Sequence, residues 1–217
     1  MTPLDDRSLI GLARSVVEAD ARAVHAALEA LDDEFVQVAR LLSSLEGKVL
    51  VTGCGTSGAI AARAAHMLSV CGCPAFYLPP DDGLNGGLGV LQPRDLLIAL
   101  SKGGGSAVLN EFCSRAKLLC RAVIAITAAP QSALAGIADH VVALKIAKDA
   151  DLGDVVATGS SLATGAVLDA LCEAARVLRG YDWKRLLFTH PSGAVGRDAM
   201  QTIERLTSTE EGNGRGA

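Results

Sequence analysis

No stretch of this 217-residue chain is a basic run, and the formal net charge is −4. Nucleic acid is therefore not an expected partner. Long hydrophobic runs are missing too. Every apolar stretch is broken by Gly, Pro or charge before it could cross a bilayer, so no membrane is expected. The opening Met-Thr-Pro-Leu-Asp-Asp-Arg has no apolar core of the kind a secretory leader needs, which points to a cytoplasmic protein. The six cysteines form no Cys-x-x-Cys pair, Cys71-Gly-Cys73 is too tight for a zinc knuckle, and only four histidines are scattered along the chain. No metal site is expected, and the thiols read as small buried hydrophobes in a reducing compartment. Cys54 alone is placed for chemistry, at a predicted helix start. Internal tandem repeats are absent as well.

Half of the residues are hydrophobic and 20% are charged, the composition of an ordered globular protein with room for one α/β domain and a full core. Residues 1–45 read as a helical arm, because Leu9, Ile10, Leu12, Val16, Val17, Val24, Ala27, Leu28 and Leu31 recur at helical spacing. A break near Leu31 divides the arm, with Asp32 or Asp33 as cap of the second helix. The arm has no strand of its own, so its apolar face needs either the main domain or another subunit. From residue 46 to 200 the pattern alternates. Short aliphatic runs at 48–52, 75–78, 95–100, 122–127 and 140–145 predict strands, and Ala/Leu-rich segments at 57–71, 104–120 and 131–138 predict helices. Such alternation argues for a parallel sheet covered on both faces. A polar stretch at 147–154 precedes a long helix from Thr158 to about Arg179. The last 17 residues, 201–217, read as a polar, glycine-rich tail.

Two loops carry the chemistry. Val49-Leu-Val-Thr-Gly-Cys-Gly-Thr-Ser-Gly58 runs from a predicted strand through glycines into a helix, and Asp95-Leu-Leu-Ile-Ala-Leu-Ser-Lys-Gly-Gly-Gly-Ser106 repeats the design. Glycine lets the backbone turn tightly against a ligand. The exposed N–H groups and the positive end of the helix dipole favour an anion. In open parallel sheets ligands bind at the carboxyl ends of the strands, where both loops lie. One phosphorylated ligand held from two sides is the expectation, with Gly55, Thr56, Ser57, Ser101, Lys102 and Ser106 around it. Ser160 and Ser161, at the start of the long helix, offer further hydroxyls. The plain alternative for each serine is a helix cap, and for Lys102 a solvated loop lysine. His25, His66 and His140 read as structural or surface groups.

Gly53-Cys-Gly-Thr-Ser-Gly58, Ala99-Leu-Ser-Lys-Gly-Gly-Gly-Ser106, Thr158-Gly-Ser-Ser161 and His190-Pro-Ser-Gly-Ala-Val-Gly-Arg197 occur in this order. Over roughly residues 8–200 the chain resembles the sugar isomerase (SIS) domain, in its D-arabinose 5-phosphate isomerase branch. The resemblance implies a three-layer α/β/α sandwich with a five-stranded, flavodoxin-like parallel sheet, a homotetramer, and aldose–ketose interconversion of a sugar phosphate without a cofactor. The paired CBS modules of that branch have no counterpart here. The chain also departs from the family pattern. Thr56 stands where a lysine is usual, Gly103 and Gly105 replace a serine and a glutamate, and Asn85-Gly-Gly-Leu-Gly89 replaces a His-Gly-Asp-Leu-Gly element. His190 is retained, and the family context makes it the general acid/base. Asp149 aligns with a family glutamate and is the first candidate for the carboxylate base, ahead of Asp82 and Glu111. A non-catalytic phosphosugar-binding module, and an isomerase or lyase for a shorter sugar phosphate, are the rival readings.

Overall fold

A computed structural model describes residues 5–190 and Ile203. The Pro191–Arg197 part of the terminal motif and, Ile203 apart, the 201–217 tail lie outside the described residues. The order is α1 (Asp6–Ala26), a single 3-10 turn at Ala27–Ala30, α2 (Asp33–Ser43), β1 (Val49–Gly53), α3 (Gly55–Val70) and β2 (Ala75–Tyr77). There follow α4 (Pro80–Leu84), a second 3-10 turn at Gly87–Val90, β3 (Leu96–Leu100), α5 (Ala107–Ala116) and β4 (Ala122–Thr127). The described fold closes with α6 (Ala133–Ile137), β5 (His140–Ala143), α7 (Gly159–Leu178) and α8 (Trp183–Phe188).

The five strands form one sheet in the order β2-β1-β3-β4-β5, with every pairing parallel. Side chains alternate across it. Val49, Val51, Leu96, Ile98, Leu100, Ile124 and Ile126 point to the layer built by α1, α2, α3 and α7. Leu50, Leu97, Ala99, Val123 and Ala125 point to the layer of α4, α5 and α6. Burial on both faces explains why the central strands are unbroken aliphatic runs rather than alternating ones. In this strand order the chain leaves β1 toward one edge and β3 toward the other, so a crevice opens between their carboxyl ends.

The arm finds its partner within the chain. Asp32 caps α2 by accepting from the backbone N–H groups of Glu34 and Phe35. Ala23, Ala30, Val38 and Leu42 are fully buried in the same cluster as the sheet. The small residues let α1 lie close along α7. The outer side of α1 stays open: Leu9, Ile10, Leu12 and Val17 are 54–67% exposed. At the opposite end of α7, Arg176 is buried, binds Glu173 and the Tyr181 carbonyl, and stacks 4.1 Å from the ring centre of Trp183. This contact fastens α8 to the body. His140 sits on the sheet edge with Nδ1 2.7 Å from Glu34 Oε1, a structural contact as expected. All six cysteines are free.

Candidate phosphate cleft

Both glycine loops leave the carboxyl ends of adjacent strands, β1 and β3, at the topological crevice. The helix starts there differ in how their backbone N–H groups are satisfied. Ser106 caps α5, its hydroxyl accepting from the Leu109 N–H. The start of α7 is filled by a carboxylate: Asp151 Oδ1 accepts from the N–H groups of Thr158 and Ser160, both at 2.9 Å. For α3, Cys54 occupies the cap position and no side chain satisfies the first turn. Its first-turn N–H groups and the positive end of its dipole are thus left without a side-chain acceptor, the arrangement that favours an anion. Gly55, at φ +55°, makes the turn that aims them outward.

Ser57, Ser101, Lys102, Ser160, Ser161 and Thr164 line one narrow cleft beside this helix start. Five of the eight expected binding residues therefore meet in space. Gly55 and Thr56 sit at its rim by sequence, in the first turn of α3. Ser106 is spent on capping, with its Oγ also 3.6 Å from Cys54 Sγ, a contact that ties the two loops together. The second loop is held by its backbone. The Lys102 carbonyl accepts from the Ala128 N–H and from the Thr127 hydroxyl. Ser101 Oγ accepts from the Gly104 N–H at 3.1 Å. At Gly104 φ is +62°, and a Cβ would overlap Ser132 Oγ, so only glycine fits.

Two cleft residues, Lys102 and Ser160, are bonded to an acid that the sequence did not single out and that itself lines the neighbouring, larger cavity. Asp151 is 6% exposed, and its Oδ2 accepts from Lys102 Nζ at 2.6 Å and from the Ser160 hydroxyl at 2.7 Å. Burial by itself would push this carboxyl up, but the bonds from Lys102 and Ser160 outweigh it and hold the group below the ordinary carboxylate range. Lys102 is thus ion-paired rather than a solvated loop lysine. The Ser160 hydroxyl is committed to Asp151 rather than turned to a ligand, and Ser161 Oγ donates to the Ala157 carbonyl.

Asp149 is a different case, and the expectation of a raised carboxylate base is corrected. It forms an exposed pair with Arg22 at 2.7 Å, and the Arg22 hydrogen bond holds it low, not high. It lines a separate, larger cavity of about 520 Å3 between α1 and the 148–158 segment, away from the α3 start. Size does not make that cavity the site: it has neither the glycine loops nor an uncapped helix end. Glu111 is occupied by Arg115 one turn on. His190 is not among the residues lining the cleft. Its Nδ1 lies 2.7 Å from the Leu186 carbonyl, which can only accept, so Nδ1 carries the proton and Nε2 is the nitrogen left for chemistry.

Among the described residues, no group of three or more His, Cys, Asp or Glu could hold a metal ion, and no helix is long and apolar enough to cross a membrane. Comparison with known proteins is consistent across sequence and structure. The chain is 33% identical to the arabinose 5-phosphate isomerase GutQ of Salmonella typhi over 178 residues, which is 82% of this chain and 56% of that protein. It is 30% identical to the arabinose 5-phosphate isomerase KdsD of Pseudomonas aeruginosa over 200 residues, 92% of this chain and 61% of the relative. The chain thus spans a little over half the length of these curated relatives. Among solved structures, the Escherichia coli CFT073 protein c3406 in complex with arabinose 5-phosphate superimposes with a TM-score of 0.82 at 26% identity, covering 87% of this chain and all of the other. A Listeria monocytogenes structure gives 0.83 at 29% identity and 88% coverage. With the SIS domain profile matching residues 42–174, the span that carries the sheet and both glycine loops, the chain belongs to the SIS domain family.

Proposed function

We propose that this chain is a phosphosugar isomerase that interconverts aldose and ketose phosphates, with an arabinose 5-phosphate/ribulose 5-phosphate type of substrate. The observation that carries this reading is the uncapped start of α3, whose Ser57 lines one cleft with Ser101 and Lys102. The phosphate sits on the α3 N–H groups with Gly55, Thr56 and Ser57 on one side, and Ser101 and Lys102 on the other. The sugar then extends away from the helix axis. Isomerisation removes the proton from C2 of the aldose, forms a cis-enediol, and returns a proton to C1 while the two oxygens exchange theirs. His190, with Nε2 free, is the acid/base group of this reading. No metal or redox step is required. Asp149, held low by its pair with Arg22, is not used as the base in this reading.

A second reading, a phosphosugar-binding module without catalysis, is favoured by one observation. Two acids of the 147–154 stretch, Asp149 and Asp151, are both ion-paired and held low. Incubation with four- to seven-carbon sugar phosphates in deuterium oxide separates the two. Deuterium appearing at C1 or C2 supports the isomerase, and phosphate-dependent binding without exchange supports the module. Exchange confined to shorter sugars would shift the substrate assignment.

The exposed Leu9, Ile10, Leu12 and Val17 stripe supports a homo-oligomer, a tetramer on the family pattern, and the six free thiols support a reducing, cytoplasmic setting. L9E/V17E should lower the mass seen by light scattering while leaving the buried Ala23–Leu42 packing intact. In the oligomer a neighbouring subunit brings His190 to the cleft. His190→Asn should then cut turnover by roughly 10²–10⁴-fold, and mixing it with Ser101→Ala should restore part of the activity after subunit exchange. Full activity of His190→Asn would remove the histidine from the mechanism.

A further inference from the structure

The cleft as it stands holds only about 20 Å3 of free space, room for a water but not for a phosphoryl group. Lys102 lines it, and the Lys102 ammonium is drawn to Asp151, which lines the larger cavity next to it. The two partners are unequal. Asp151 is anchored: its side chain is 2% exposed, and it keeps the Thr158 N–H, the Ser160 N–H and the Ser160 hydroxyl if Lys102 leaves. Lys102 is tethered only by its head. Its side chain is 45% exposed, it stands on the Ser101–Ser106 glycine loop, and Asp151 is its one side-chain partner among the described residues.

We propose that Lys102 and Asp151 form an anion-operated latch, in which the ligand's phosphate displaces Asp151 as the partner of Lys102 and so opens the cleft. The inference rests on the phosphate-binding reading above and deepens it, since it makes Asp151 an internal competitor of the ligand. An uncharged sugar cannot displace a carboxylate from an ammonium group, whereas a phosphate dianion carries twice the charge at the same contact distance. The pair therefore selects for the phosphorylated form before any contact with the sugar is made. Lys102 moves through its flexible side chain while the loop backbone stays fixed by Thr127 and Ala128. No bond is made or broken beyond the exchange of one ion pair for another. Asp151 is a positioning and specificity residue here, and it does not touch the sugar.

A double-mutant cycle tests the latch, with inorganic phosphate and arabinose 5-phosphate as probes and calorimetric Kd as readout. Asp151→Asn keeps an oxygen for the Thr158 and Ser160 N–H groups but releases Lys102, and it should bind either probe about tenfold more tightly than the wild type. Lys102→Met should bind about tenfold more weakly. The deciding measurement is Asp151→Asn in the Lys102→Met background, where the gain should vanish. A gain of equal size in both backgrounds would mean that Asp151 acts only as a bulk negative charge, and would overturn the latch. No gain in either would do the same. The carboxyl-carbon NMR signal of Asp151 gives a second readout that needs no change at Asp151: it should move when phosphate is added to the wild type and stay put in Lys102→Met. A signal indifferent to saturating phosphate overturns the proposal. Failure of all four proteins to bind either probe at millimolar concentration would instead overturn the phosphate-site reading itself.

Discussion

Replacing Ser57 by Asp sets stability and binding against each other at one atom. Ser57 is the third residue of α3, whose first turn has no side-chain cap, and it lines the cleft. A carboxylate there neutralises the helix dipole and accepts from the vacant N–H groups, worth about 0.3–1 kcal/mol. In a protein of this size that raises Tm by about 1–4 °C. The same carboxylate stands where the phosphate must go. Two like charges about 4 Å apart at an effective dielectric near 20 repel by roughly 4 kcal/mol, so affinity should fall by at least about a hundredfold. The assay is thermal unfolding with and without a sugar phosphate. At one hundred times Kd the wild type gains about 2.7 kcal/mol, a shift of about 5–11 °C. The variant should start higher and show almost no ligand shift. A lower starting Tm would mean that the helix end is already satisfied. An undiminished ligand shift would place the phosphate elsewhere.

Two further outcomes concern the two ends of β3, one of which carries the second glycine loop. Asp95, at 1% exposure, accepts from the N–H groups of Lys48 and Gln92 and from Lys48 Nζ. Burial works to raise its carboxyl, but these bonds prevail and hold it low. Its contribution is therefore fully present above the unfolded value of about 3.9 and is lost as pH falls through the folded value. Asp95→Asn should cost about 2–3 kcal/mol at neutral pH in urea unfolding and make the loss of stability below about pH 4 shallower. An unchanged acid limb would assign that limb to other carboxylates. Gly104→Ala should cost about 1–3 kcal/mol, from the left-handed backbone and the overlap with Ser132, and weaken phosphate binding because the Ser101–Gly104 bond is lost. A variant as stable as the wild type would show that the second loop is not held in this turn.

The five strands were legible almost to the residue: β1, β3 and β4, buried on both faces, leave aliphatic runs, and the half-buried edge strands β2 and β5 are marked off by the Gly, Pro and Asp residues that precede or follow them. The register of the two glycine loops on adjacent strands followed from that. Helix ends were less legible. The 104–120 helix begins only at Ala107, since Gly104 turns left-handed and Ser106 takes the cap, and it ends at Ala116, before a turn. α4 and the Gly87–Val90 turn are too short to show a period. Asp151 was hidden for a different reason. In the run Lys148-Asp-Ala-Asp-Leu-Gly-Asp154 nothing local separates a solvated acid from a buried one. Only the return of the chain into α7 decides that Asp149 faces Arg22 and Asp151 faces Lys102. Spacing drew attention to Ser160 as a ligand, but its hydroxyl is taken by that same hidden acid.

The Arg176–Trp183 stack has an optical consequence. Trp183 is the sole tryptophan, and it reports from the junction of α8 and α7, seven residues before His190. Its emission, quenched or shifted according to how the guanidinium sits on the indole, follows the docking of the helix that leads to the proposed acid/base residue. Circular dichroism follows the sheet and the long helices instead. The protein thus carries separate spectroscopic handles on its scaffold and on its C-terminal helix, and a ligand that engages His190 should register in the tryptophan emission without disturbing the circular dichroism.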